Sequence, residues 1–136
     1  MRHNKFFSST ILLCTIAFLT MGWMTFPSQK SGQVHILIVG FPDGKLTATG
    51  ALEASGTNFM EVRPSGKSTA IHCTNSVVTP QGSFTIVMDC QFITTTGQWR
   101  ITDGTGAYKN LRGNGSLIMY FNEQGQDVEE LDGMIH

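Results

Sequence analysis

The sequence predicts an all-β fold, a single eight-stranded antiparallel β-barrel that follows an N-terminal hydrophobic signal or anchor helix. Three observations carry this prediction. Turn-forming residues recur at short intervals from about residue 33 onward, and the stretches between them are rich in β-branched and aromatic residues. No stretch after residue 30 holds a helical i, i+3, i+4, i+7 stripe free of Gly and Pro. At 136 residues the chain has single-domain length.

The N-terminus comes first in the chain and in clarity. Met1-Arg2-His3-Asn4-Lys5 is a short basic start, and Phe6 to Phe26 follows without a charged residue. A basic end and an apolar run form the first two regions of a secretory signal. The run is also long enough to span a bilayer, which takes roughly 20 residues. Thr20-Met21-Gly22 offers a small-x-small cleavage site, and an uncleaved anchor with its basic end cytoplasmic is the alternative. Cys14 belongs to the apolar run, because Leu13 stands where a lipoprotein box needs a small residue. The expected division is residues 1–30 for signal or anchor plus joint and 31–136 for the barrel. The domain is then secreted, periplasmic, or anchored outside the cytoplasm, touching membrane only through residues 1–30.

The strands follow in order. Gln33-Val34-His35-Ile36-Leu37-Ile38-Val39 opens a strand over 33–41, closed by the turn Phe41-Pro42-Asp43-Gly44-Lys45, where Pro pre-sets φ and Gly permits positive φ. Strands at 46–54, 57–63 and 68–78 are punctuated by Ser55-Gly56 and Pro64-Ser65-Gly66. Pro80-Gln81-Gly82 leads into 83–93, where Phe84, Ile86, Met88 and Phe92 share one face. Strands at 98–102, 114–121 and 127–135 complete the eight, separated by Gly-rich turns and Gln124-Gly125.

The hairpin around Pro80 carries the cysteine argument. If its loop is Pro80-Gln81-Gly82-Ser83, then Thr79 faces Phe84 and Cys73 lies opposite Cys90, with Ile71, Asn75 and Val77 on the same face. Opposed Cβ atoms stand about 4.5–5.5 Å apart, near disulfide geometry. A Cys73–Cys90 bond is therefore expected in an oxidising compartment, closing a loop of roughly 18 residues for around 3 kcal/mol. Two buried thiols are the alternative, since a shift of one residue in the loop removes the coincidence.

Charge and motif spacing exclude several functions. Beyond residue 30 the chain carries six basic and ten acidic residues, a net of −4, with no Lys/Arg cluster to meet a phosphate backbone. Nucleic acid is not an expected partner. Gly104-x-Gly106 lacks the third glycine of a dinucleotide loop, Lys109 standing there, and Gly66-Lys67-Ser68 lacks the upstream glycine of a P-loop. His35, His72 and His136 are too scattered to predict a metal site. Glu129, Glu130 and Asp132 read as a solvated strand edge rather than a Ca²⁺ site. Ser68, Ser76 and Ser83 sit in no nucleophile elbow. Asn114-Gly115-Ser116 is an N-glycosylation sequon, relevant only in a eukaryotic host. No cofactor is expected.

The most distinctive stretch is Trp99-Arg100-Ile101-Thr102-Asp103-Gly104-Thr105-Gly106-Ala107-Tyr108-Lys109-Asn110-Leu111-Arg112-Gly113-Asn114-Gly115-Ser116-Leu117. It resembles a strand and turn of the allene oxide cyclase and dirigent barrel superfamily, most of all its small secreted bacterial members of unassigned function. Gly50 to Thr57 and Glu129 to Gly133 look like that superfamily's second and last strands. The resemblance implies an eight-stranded barrel with an apolar cavity and leaves room for a homo-oligomer. The plant cyclases place a glutamate near the first strand, and Gln33 to Phe41 contains no acid, so no catalytic residue transfers.

The expected function is an exported, non-catalytic barrel that binds a small apolar molecule or serves as an interaction module. The alternative is an isomerase, cyclase or dirigent-like protein acting on a hydrophobic substrate. The candidate pocket or rim residues are Glu53, His72, Asn75, Tyr108, Arg112 and Tyr120. Tyr108 and Arg112 either rim a pocket mouth or form a packed Tyr beside a surface Arg.

Overall fold

The structure, a computed structural model, describes residues 30–66 and 69–136. The apolar N-terminal segment with Cys14 lies outside the described residues, as do Lys67 and Ser68. The eight strands are β1 (Gly32–Val39), β2 (Asp43–Gly50), β3 (Ala54–Pro64), β4 (Ala70–Thr79), β5 (Gly82–Gln91), β6 (Thr96–Gly104), β7 (Gly113–Phe121) and β8 (Asp127–Ile135). Each pairs antiparallel with the next, and β8 pairs with β1 to close a barrel. Short turns place sequential strands side by side, and closure removes the unpaired edges an open sheet would expose.

Alternation decides what fills the barrel. On β5, Phe84, Ile86, Met88 and Cys90 are buried while the residues between them are half-buried on the outer wall. Phe92 does not join them: β5 ends at Gln91, and Phe92 stands 64% exposed at the rim. Strand 46–54 also ends earlier than the sequence predicts, because residues 51–53 turn and fold Leu52 inward, where it is buried.

The β4–β5 hairpin corrects the cysteine register. Thr79 pairs with Gly82, so the turn is only Pro80-Gln81. The Thr79 hydroxyl fixes this tight turn, accepting the Gln81 N–H at 3.1 Å and donating to the Gly82 carbonyl at 3.1 Å. Pairing then sets Cys73 opposite Met88 and Cys90 opposite Ile71. The two cysteines are diagonal neighbours on the inner face, and both are buried free thiols rather than the expected disulfide.

The two ends of the barrel differ. Tyr108, in the short 3₁₀ turn Gly106–Tyr108, and Leu111 join Leu52 in plugging the end that holds both termini of the described chain. The Tyr108 ring meets Phe84 edge-on at 5.0 Å, and Thr79 Oγ1 lies 3.2 Å from its hydroxyl. Trp99 fills the space above, donating its indole N–H to the Asp132 carbonyl at 3.2 Å. It fits because β8 carries glycine there: a Cβ on Gly133 would stand 2.7 Å from the Trp99 ring. Among the glycines of the distinctive stretch, only Gly106 uses positive φ, at 59°. Gly113 and Gly115 serve close approach within β7 and to β8.

Candidate functional site

The opposite end is open. The β1–β2, β5–β6 and β7–β8 connections and the adjoining parts of β3 and β4 border a cavity of about 660 Å³. Its wall is Met60, Val62, Ile71 and Met119, and its mouth carries Phe41, Phe92 and Phe121, 54%, 64% and 75% exposed. Each wall residue lies on an inward position of its strand, so period-two alternation builds an apolar cup.

Two polar residues from opposite sides reach this cup. Cys73 projects from β4 and Glu129 from β8, and each is 1% exposed. Glu129 Oε2 has no hydrogen-bond partner among the described residues. Burial, aided by the nearby Asp127 carboxylate and by Cys73, pushes the Glu129 carboxyl up to about 8. At neutral pH it is chiefly a carboxylic acid, able to donate one hydrogen bond and accept others. Asp127, nearer the mouth, is also raised by desolvation.

One layer deeper lie two amides. Asn75, at 0% exposure, donates to Met88 sulfur at 3.6 Å and leaves its carbonyl oxygen unpartnered. Asn58, two residues along β3 from Met60, has no partner for either amide atom among the described residues and is 2% exposed. Such a group costs about 1–3 kcal/mol relative to an apolar one of similar shape. Asn58→Leu is therefore expected to raise stability by about 1–2 kcal/mol in urea unfolding. A fall in the midpoint would show that the amide is satisfied in solution.

The residues named from sequence are dispersed. Asn75 reaches the interior. Glu53 is exposed in the β2–β3 turn at the plugged end. His72 is exposed on the outer wall, hydrogen-bonded to Asp89, which Arg100 also contacts at 3.3 Å. Tyr108 is packed in the plug and Arg112 is exposed, bonding the Leu111 carbonyl at 2.7 Å. Tyr120 lies at the cup's edge with its hydroxyl donated to Glu130 at 2.7 Å. A shallower depression of about 550 Å³ on the outer wall holds His35 and Asp132, 2.8 Å apart and both largely exposed. Exposed pairs of this kind contribute little.

Glu129 is the residue that sequence reasoning missed. It was read as part of a solvated acidic edge, and it is instead buried inside the barrel. The parity of Leu131 and Ile135, both at 0% exposure, places it on their inner face. That signal is weak in the sequence because Val128 and Met134 on the outer face are also apolar. The acid thus enters the cavity from the last strand, whereas the first strand has none.

Fold and cup define a closed eight-stranded barrel with one apolar, acid-floored open end and room for one small molecule. No protein-family model and no curated protein matches the sequence. Among solved structures it is similar to the pterocarpan synthase dirigent protein, at 14% identity over 99% of this chain and 98% of that chain, with a TM-score of 0.52. The likeness is one of fold alone: this chain's closed eight-stranded barrel shares the overall fold of that dirigent protein.

Proposed function

We propose that this protein binds a small, largely apolar molecule in the open cup and directs that molecule's oxygen-bearing group towards Glu129. One observation carries the reading: a cavity of about 660 Å³ with an apolar wall meets a buried carboxyl whose Oε2 has no partner among the described residues. Apolar surface supplies the affinity, and an unmatched buried polar group supplies the orientation. The exposed phenylalanines at the mouth support the same reading, because a bound molecule would cover them. In this reading the domain works outside the cytoplasm, delivered by residues 1–30. N-terminal sequencing of the exported fraction separates a cleaved signal from an anchor.

The test is native mass spectrometry of the full chain from that fraction, together with titration by the neutral fluorophore N-phenylnaphthylamine. Extra mass removed by organic solvent is the expected result. Phe92→Ser with Phe121→Ser is expected to weaken the fluorophore at least about ten-fold, roughly 1.4 kcal/mol. A bare mass and no fluorophore binding would overturn the reading and leave an interaction module.

A second reading is favoured by the acid itself. A carboxyl kept protonated at neutral pH in an apolar cavity is suited to general-acid chemistry on a hydrophobic substrate, as a dirigent-like protein or an isomerase would need. The named dirigent protein is described as a pterocarpan synthase, and only its fold is shared here at 14% identity. Glu129→Gln separates the two readings: binding that survives while turnover is lost identifies catalysis.

A further inference from the structure

We propose that Cys73 is a covalent attachment site for α,β-unsaturated ketones and aldehydes entering the cup, with Glu129 supplying the proton that completes the addition. This rests on the binding reading above and gives it a ligand class. The first support is placement, since Cys73 from β4 and Glu129 from β8 line the same cavity. The second is the unpartnered Glu129 Oε2, on a side chain only 1% exposed. The third is the thiol pair. The register brings Cys90 to a diagonal inner position beside Cys73. The neighbouring Cys90 thiol lowers the Cys73 thiol from its ordinary value, against desolvation and the charges of Asp127 and Asp89, which oppose it. Only Cys73 of the two belongs to the cavity lining.

The chemistry balances without an oxidant or a leaving group. Cys73 sulfur forms a bond to the β-carbon of the enone while the carbon–carbon π bond breaks. Its electron pair moves through the conjugated system, and the Glu129 carboxyl protonates the carbonyl oxygen to give an enol. The proton that Cys73 gave up to solvent on forming the thiolate is matched by one that solvent returns to Glu129 through the open mouth, and the enol becomes the ketone by moving its proton to the α-carbon. The product is a thioether in which, on balance, the thiol hydrogen has ended on carbon. A soft sulfur nucleophile and a neutral acid in one apolar cavity suit this addition.

The experiment treats the full chain with vinyl pentyl ketone, and in parallel with its saturated counterpart, ethyl pentyl ketone. Peptide-resolved mass spectrometry then locates any adduct among Cys14, Cys73 and Cys90. The expected result is an adduct concentrated on Cys73, formed about a hundred-fold more slowly in Glu129→Gln, with circular dichroism confirming that variant's fold. Ethyl pentyl ketone is expected to displace N-phenylnaphthylamine without any mass change. If the saturated ketone binds and Cys73 stays unmodified, the attachment site is overturned and the binding reading stands. If neither ketone competes with the fluorophore, the binding reading itself fails. An adduct spread evenly over all three cysteines, or a rate indifferent to Glu129→Gln, also overturns the proposal. Because the adduct is mapped on the unaltered chain, no result depends on a cysteine variant folding.

Discussion

Glu129→Gln is expected to stabilise the barrel above neutral pH and to remove most of the pH dependence of its stability. The folded carboxyl titrates at about 8, and its ordinary value is 4.5. Between those values the folded chain holds a proton that the unfolded chain releases. Stability is therefore complete below about pH 4.5, falls as pH rises, and levels off above about 8. At about 1.4 kcal/mol for each unit, the whole loss is roughly 4–5 kcal/mol, a large part of a small domain's stability. Among the described residues, the ionisable groups that act on Glu129 are Asp127 and Cys73, with Cys90 also nearby, and none of these is a cation that would compensate its charge. Glutamine keeps the size and cannot ionise. Urea midpoints at about pH 5 and about pH 8 are expected to diverge for the unaltered chain and to lie close together for the variant. Asp127, which burial also raises, contributes a slope of the same sign in its own range, in the unaltered chain and the variant alike. A midpoint that rises with pH in the unaltered chain would contradict the burial of this acid.

Trp99→Ala is expected to cost about 3–5 kcal/mol, the range for removing a large buried aromatic side chain. Trp99 is 2% exposed and packs against the glycine backbone of β7 and β8. Glycines at 113 and 133 carry no side chain that can move into the vacated space, so the cavity stays open. The Asp132 carbonyl also loses its indole donor. For a domain of this size the melting temperature is expected to fall by at least about 15 °C. Trp99→Phe restores part of the volume without the hydrogen bond and is expected to fall between the two. A loss below about 1 kcal/mol in the alanine variant would show that the ring does not fill this space in solution.

The two variants probe opposite halves of the barrel, and they differ in how legible their residues were. Trp99 and Gly113 belong to the distinctive stretch of the sequence and Gly133 to the segment that resembles the superfamily's last strand, because close packing at a barrel wall leaves a mark in residue type. Asn75 was named from sequence, since it shares a face with Ile71 and Val77. Glu129 was not, because alternation on β8 is blurred by Val128 and Met134. Asn58 was not named either, although Met60 two residues away marks its face. The cysteine pairing failed on turn length alone: a two-residue hairpin moves every partner on β5 by two positions and turns opposite thiols into diagonal ones.

The sequence by itself determined the all-β class, the number of strands and their order, because turn chemistry and short β-branched runs are local and are written in neighbouring residues. Only the tertiary structure decided that one end is plugged by Leu52, Tyr108 and Leu111 while the other stays open. It alone brought Glu129 from the last strand to the same cavity as Cys73 from the fourth. Their meeting depends on barrel closure and on register across all eight strands, which no local stretch of chain encodes.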